Sequence, residues 1–368
     1  MNNSDETKPS LSLCMIARDE EHCIERVLQS ARAHVKEIIV VDTGSVDRTV
    51  EIAKKYADKT EFFSWIDDFS AARNYALKFA TQPWILVLDA DELMSPSGFM
   101  KSSELIKTDA YDGFYMTQRL YHDEEVRSEN WRLVKSRDTF SGDYLGYVEN
   151  RIVRLFRNDP AIRYSCKVHE IVDYSISSDR IGDSGVPIHH YHENEVNNSR
   201  QHVLRNLAIQ ERLISTNEAT SRDYLSAGMA HMRVTRDLEK AKRYLITAFE
   251  FGADALPSLE AVAEAFYRSG ATDQAVQVYR RLFDIGHRST ATLNNLSNLW
   301  VKQGDFSGAI SALTESLNQG IKNPESKARV EKNLAALQRA LDESQNQPHQ
   351  IFVEFHNLVI VRRTNCFS

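Results

Sequence analysis

The residues best suited to chemistry in this chain stand in one short run, Trp84-Ile85-Leu86-Val87-Leu88 followed by Asp89-Ala90-Asp91. An apolar run that ends in two carboxylates one residue apart puts both acids at the exit of a buried strand. The period-2 alternation of a strand would then point them the same way. Two hard oxygen donors suit Mg2+ or Mn2+ better than Zn2+, and such ions bridge carboxylates to substrate phosphates. An Asp-x-Asp pair alone is common on solvated loops, so its meaning depends on the elements around it.

A second acidic run, Asp42-Thr43-Gly44-Ser45-Val46-Asp47, follows another apolar stretch. Asp47 is placed to cap the next helix and Gly44 to relieve the turn. That leaves Asp42, at the strand end, to accept hydrogen bonds from a ribose or a base edge. Farther on, His189, His190 and His192 cluster after Ile188. Adjacent or alternating side chains on an extended segment do not converge on one small ion, which argues against a zinc site.

The elements that must hold these groups alternate. Residues 11–17, 37–42, 61–65 and 84–91 read as strands, and residues 20–35, 47–57 and 69–80 as helices. Strands alternating with helices imply an α/β fold, a mostly parallel Rossmann-like sheet covered on both faces. Ligands of such sheets lie beyond the carboxyl ends of the strands. Four acidic clusters, Arg18-Asp19-Glu20, Asp42 to Asp47, Asp67-Asp68 and Asp89 to Glu92, are therefore expected on one rim. Residues 110–192 are rich in aromatic and turn residues and read as strands and loops closing the acceptor side.

After about residue 196 the chain reads as all-helical. Ala241, Ala275 and Ala309 are spaced by 34 residues, with Leu225, Leu259 and Leu293 in the same register, as are Met232, Phe266 and Trp300, and Leu245, Tyr279 and Leu313. That period is the tetratricopeptide signature, two antiparallel helices per unit. The first copy carries Thr235-Arg236-Asp237 where glycine is expected, and a closing helix is predicted over 325–342. The expected domains are 1–195, 196–342 and a tail, 343–368, containing the apolar stretch 351–361. The tail reads as a packed element, with membrane-surface contact as the alternative.

Composition narrows the class. With 42% hydrophobic and 26% charged residues over 368 positions, the chain is globular in character. Its formal charge of −7 offers no basic field for nucleic acid. Four scattered cysteines suggest a reducing, cytoplasmic setting, and the polar first ten residues read as no secretion signal.

Read in order, MIARDEE, IIVVDTGSVDRT, WIDDFSAARNYAL and WILVLDADE, over about the first 95 residues, resemble the N-terminal half of family 2 glycosyltransferases with a GT-A fold. The resemblance is closest to the bacterial subgroup with tetratricopeptide repeats, which includes lipopolysaccharide-core glucosyltransferases and peptide S-glycosyltransferases. It implies inverting transfer from a nucleotide-sugar, often UDP-linked, to a glycan, lipid-linked or peptide acceptor, with a divalent cation, Mn2+ or Mg2+, as cofactor. It implies further that Asp42 contacts the nucleoside, that Arg18 and Glu20 line its pocket, and that Asp68 and Arg73 help hold it. Asp91 would ligate the metal and Asp89 would stand nearer the ribose or a metal-bound water. Arg154-Leu155-Phe156-Arg157 followed by Val168-His169-Glu170 is similar to the segment supplying the catalytic carboxylate, which makes Glu170 the candidate base. His190, before Tyr191, is the candidate additional metal ligand. The repeats would dock the acceptor, a protein partner or a second copy, and the protein would be cytoplasmic or peripheral to the inner face of the membrane. Two rivals remain: a nucleotidyltransferase, disfavoured because Ala17-Arg18-Asp19-Glu20 lacks a glycine-rich phosphate loop, and a scaffold with an inactive transferase domain.

Overall fold

The structure, a computed structural model, describes residues 9–126, 130–191, 195–251, 255–268, 271–321 and 324–346. His192 and the apolar stretch 351–361 lie outside them. The N-terminal unit opens with β1 (Leu11–Ala17), α1 (Ile24–Arg32), β2 (Glu37–Asp42), α2 (Thr49–Tyr56), β3 (Lys59–Phe62), α3 (Phe69–Leu77) and β4 (Trp84–Val87). It continues with β5 (Glu92–Met94), α4 (Pro96–Leu105), β6 (Gly113–His122), β7 (Trp131–Leu133), β8 (Gly146–Arg157) and β9 (Ile181–His190). Among the described residues these strands make one sheet in the order β3-β2-β1-β4-β8-β6-β9-β5, with β7 paired to β8.

The parallel part of the sheet follows from residue alternation. Leu11, Leu13 and Met15 of β1, Ile38 and Val40 of β2, and Trp84 and Leu86 of β4 enter one core with Ile24, Val27 and Leu28 of α1. Cys14, Ile39, Val41, Ile85 and Val87 enter the other, with Ala76 and Leu77 of α3. Both faces are buried, which is why these strands read as unbroken apolar runs. β4 meets β8 in antiparallel register, Leu86 opposite Leu155, so the parallel half ends there.

Two expected strands end earlier than their apolar content suggested. β3 begins two residues before the expected strand and ends at Phe62; beyond it Trp65 Nε1 donates to Asp67 Oδ1 at 2.8 Å and Asp67 turns left-handed, φ 58°. β4 ends at Val87; the Glu92 N–H donates to the Asp89 carbonyl at 3.0 Å, closing a turn. The chain then re-enters the sheet as β5, four strands away, beside β9.

Contacts divide the chain between His202 and Val203, within α5 (Glu195–Ser215). Beyond α5 the second unit contains α6 (Ser221–Ala230), α7 (Leu238–Glu250), α8 (Ala255–Arg268), α9 (Thr272–Asp284), α10 (Thr290–Gln303), α11 (Phe306–Asn318) and α12 (Pro324–Asn346). The 34-residue register is a packing register: Ala241, Ala275 and Ala309 are fully buried, and Met232, Phe266, Trp300, Leu245, Tyr279 and Leu313 fill one continuous core. Helix pairs that stack in this way form a tetratricopeptide-like array. In the first copy Arg236 takes the left-handed conformation, φ 63°, that Gly304 takes in the last, φ 80°. The turn geometry is therefore kept without glycine, at a steric cost. Ahead of Arg236, residues His231–Thr235 form a π-helical turn.

At Gly228 a Cβ would meet Leu245 Cγ at 2.6 Å, so α6 and α7 touch through a missing side chain. Gly228→Val is expected to lower the stability of the helical unit by about 1–3 kcal/mol through overpacking. A urea melt followed by circular dichroism should show a lower midpoint with an unchanged slope.

Candidate active site

The loops leaving β1 and β2 are zipped together by backbone and side-chain hydrogen bonds. Asp19, left-handed at φ 56°, donates its N–H to Ser45 Oγ at 2.9 Å, and its Oδ1 accepts from the Val46 N–H at 2.7 Å. The Glu20 N–H donates to Thr49 Oγ1 at 2.7 Å and the Glu21 N–H to Asp47 Oδ2 at 3.0 Å. Asp42 corrects one expectation. It was assigned no part in building the loop, yet its buried carboxylate accepts from the N–H groups of Gly44 and Ser45, both at 3.1 Å. Gly44 meets this turn with φ 109°. Arg18 is half-exposed and pairs with neighbouring Asp19 at 3.7 Å.

Asp89 and Asp91 lie in the turn after β4 and not on a strand, and they have different hydrogen-bond partners. Asp89 faces two buried guanidinium groups: Oδ1 accepts from Arg73 Nη2 at 2.8 Å and Oδ2 from Arg154 Nη2 at 2.6 Å. Asp91 Oδ2 meets His190 Nε2 at 2.9 Å. Arg154 Nη2 also donates to Glu92 Oε1 at 3.1 Å. Glu92 is wholly buried, its Oε2 accepting from the Asp89 N–H at 2.9 Å and its Oε1 from Gln118 Nε2 at 2.5 Å.

Glu170 enters from the irregular segment after β8. Its Oε1 accepts from Arg73 Nε at 2.6 Å. Asn74 fastens the segment to α3, donating Nδ2 to the Tyr164 carbonyl at 2.9 Å and accepting from the Tyr164 N–H at 2.9 Å. The Phe69 N–H donates to the Lys167 carbonyl at 2.9 Å. Asp68 caps α3, accepting from the Ala71 N–H at 2.9 Å and Ser70 Oγ at 2.7 Å. Asp68 thus caps α3 and Arg73 joins the carboxylates of Asp89 and Glu170. Each guanidinium has one buried nitrogen without a hydrogen-bond partner among the described residues, Nη1 of Arg73 and Nε of Arg154. Each retains capacity for a further acceptor.

Charge and burial tune these groups. Burial would raise the Asp89 carboxyl, but Arg154 and Arg73 hold it well below the usual carboxylate range. Burial pushes Glu20 up from 4.5 to about 7, with Asp91, Asp89 and Asp47 adding to the rise and a Cys23 hydrogen bond opposing it. Glu20 therefore shares one negative field with the Asp89-Asp91 turn. Burial opposes charge on His190, yet the hydrogen bond to Asp91 and the carboxylates of Asp91, Glu92 and Asp89 raise it to about 9. His189 points to the other side of β9, where it stacks on Phe140 at 4.1 Å and shares a 2.8 Å hydrogen bond with the Tyr121 hydroxyl. Burial lowers it to about 4. Among the described residues no three His, Cys, Asp or Glu side chains are grouped to hold a metal ion.

Gln118 was not singled out from sequence, and Arg154 and Glu92 were named only within the segments Arg154–Arg157 and Asp89–Glu92, with no role of their own. Arg154 carried a signal, a cation inside the apolar run Ile152-Val153-Arg154-Leu155-Phe156, where an unpaired charge is costly. Gln118 carried none.

Residues 12–163 match the glycosyl transferase family 2 model. A TPR repeat-containing protein of Synechococcus elongatus is 39% identical over 167 residues, 45% of this chain and 36% of that protein. The SPbeta prophage-derived glycosyltransferase SunS of Bacillus subtilis is 26% identical over 211 residues, 56% of this chain and 45% of that one. The chain thus spans less than half the length of either relative. Among solved structures, S. aureus TarS aligns at TM-score 0.41 and 14% identity, covering 73% of this chain and 54% of that chain. No helix among the described residues is long and apolar enough to cross a membrane.

Arg73→Met would leave Asp89 and Glu170 without their shared cation, and a loss of about 3–5 kcal/mol is expected in chemical denaturation of the full chain. Glu20 gives a signed pH dependence. Its folded pKa lies above its unfolded one, so its contribution to stability is complete below 4.5 and is lost as pH rises toward about 7. Denaturant midpoints measured across that interval should fall less steeply in Glu20→Gln than in the parent; parallel slopes would contradict the assignment.

Proposed function

We propose that this chain, whose residues 12–163 are a glycosyl transferase family 2 domain, is an inverting transferase. It moves a sugar from a nucleotide-sugar, UDP-linked, to a glycan, lipid-linked or peptide acceptor. The observation that carries the reading is the rim of the matched domain. Glu20, Asp89, Asp91, Glu170 and His190 gather there, tied by the Arg73 ion pairs, the Asp91–His190 contact and the shared field at Glu20. Open α/β sheets bind ligands at that edge.

Direct displacement makes one bond from the acceptor heteroatom to the anomeric carbon, breaks the bond to the diphosphate, and leaves one proton to remove. Glu170 receives that proton. Arg73 engages Oε1 of Glu170 and so sets where its other oxygen points. The partnerless Nη1 of Arg73 is suited to a phosphate oxygen, where a guanidinium meets growing negative charge. Asp42 holds the loop beside which the nucleoside would lie.

A divalent cation is part of the proposal: Asp91 Oδ2 and His190 Nε2, 2.9 Å apart, would hold it, and the carboxylate oxygen is the donor that suits Mn2+ or Mg2+. When bound, the ion supplies charge neutralisation for the departing diphosphate. The stacked helix pairs offer a docking surface for the acceptor, a protein partner or a second copy.

Asp91→Ala is expected to reduce UDP release from UDP-sugars, assayed with Mn2+, by about two orders of magnitude or more while leaving the melting temperature near that of the parent. Undiminished release by the folded variant in the presence of chelator would remove both Asp91 and the metal from the reading.

A further inference from the structure

We propose that Arg154 is a positioning residue that determines where Glu170 stands, acting through Asp89 and Arg73 without touching substrate. The proposal rests on the reading of Glu170 as the group that receives the acceptor proton.

The contacts are continuous. Arg154 Nη2 donates to Asp89 Oδ2 at 2.6 Å, Arg73 Nη2 donates to Asp89 Oδ1 at 2.8 Å, and Arg73 Nε donates to Glu170 Oε1 at 2.6 Å. Arg154 lies in β8 where the β6–β8 register shifts, between Val153, paired with Tyr115, and Leu155, paired with Leu86 of β4 and Phe114 of β6, and it is 8% exposed. Glu170 lies in a segment bridged to itself between Ser165 and Ile171 and tied to α3 through Tyr164 and Lys167, with Cys166 and His169 left-handed at φ 69° and 54°. What Arg73 adds is a hold on the Glu170 carboxylate itself.

Asp89 has two carboxylate oxygens and two guanidinium partners. With Arg154 on Oδ2, Arg73 reaches Asp89 through Nη2 alone and keeps Nε for Glu170. Carboxylate and guanidinium prefer the two-point fork when nothing prevents it. Without Arg154, Asp89 is open to accept both Nε and Nη2 of Arg73, and Glu170 loses its bond. Glu92 keeps Arg154 in place: it accepts from Arg154 Nη2 at 3.1 Å and is itself pinned by Gln118 and the Asp89 N–H.

The test compares Arg154→Met and Arg154→Lys with the parent, all as the full chain. UDP affinity is measured by calorimetry, UDP release is followed with UDP-glucose, UDP-galactose and UDP-GlcNAc, and amide exchange is mapped by mass spectrometry. Arg154→Met should bind UDP within about twofold of the parent while kcat falls at least about tenfold, since a misplaced base costs turnover and not donor binding. Exchange should rise over residues 165–171 and not over β4 and β8. Arg154→Lys, which keeps the charge, should restore part of both. Parent-like turnover in a folded Arg154→Met, or UDP affinity that falls in step with turnover, overturns the proposal. Exchange that is unchanged over 165–171, or that rises equally across β8, overturns it too. If the parent releases UDP from none of the three sugars, the transferase reading fails on its own, and the exchange comparison still decides whether Arg154 holds the segment.

Discussion

Two guanidinium groups cannot be buried side by side in an α/β domain unless carboxylates surround them, because desolvating an unpaired charge costs more than any packing contact returns. Arg73 and Arg154 are both buried, and Asp89, Glu92 and Glu170 enclose them. Two cations stand against three carboxylates, and burial raises Glu92 while Arg154 opposes the rise. Pairing these charges draws α3, the turn after β4, strand β8 and the segment carrying Glu170 to one point, so the site's geometry follows from its electrostatics.

The sheet supplies the frame on which this balance is possible. Alternating side chains of β1, β2 and β4 fill two cores, one on each face, leaving only the strand ends for polar groups. β8 then meets β4 antiparallel through Leu155, Phe156 and Arg157, and the preceding residue, Arg154, at the shift in the β6–β8 register, bonds to Asp89 in the turn. The return of the chain as β5 beside β9 has a second effect: Glu92 lies opposite His190, which sets the imidazole against Asp91. One short turn therefore separates two carboxylates into different environments, Asp89 among cations and Asp91 beside a histidine.

The helical unit follows a simpler rule. Its core repeats because each helix pair presents the same small and large residues to the next, and Arg236 shows that backbone geometry outranks residue preference where packing demands a left-handed turn. The 34-residue register was legible from Ala241, Ala275 and Ala309 alone, since a residue that must be small at a helix crossing is small in each copy.

Much of the parallel half was legible for the same kind of reason: a strand buried on both faces needs an unbroken apolar run, and a polar cluster after it needs solvent or a ligand. Sequence alone determined the order of strands and helices from β1 to β4, the acids that follow strands at Asp42, Asp89 and Asp91, and the repeat period. It did not determine partners. Strand alternation put Asp89 and Asp91 on one side of a strand; they stand instead in a turn, Asp89 bonded to Arg73 and Arg154 and Asp91 to His190. Asp42 and Asp68 each also accept from nearby backbone N–H groups. The pairing of Arg73 with Glu170 spans 97 positions and that of Arg154 with Asp89 spans 65. Local propensity decides how a segment folds, but which buried charges neutralise one another depends on groups brought together from distant positions, and only the tertiary structure settles that.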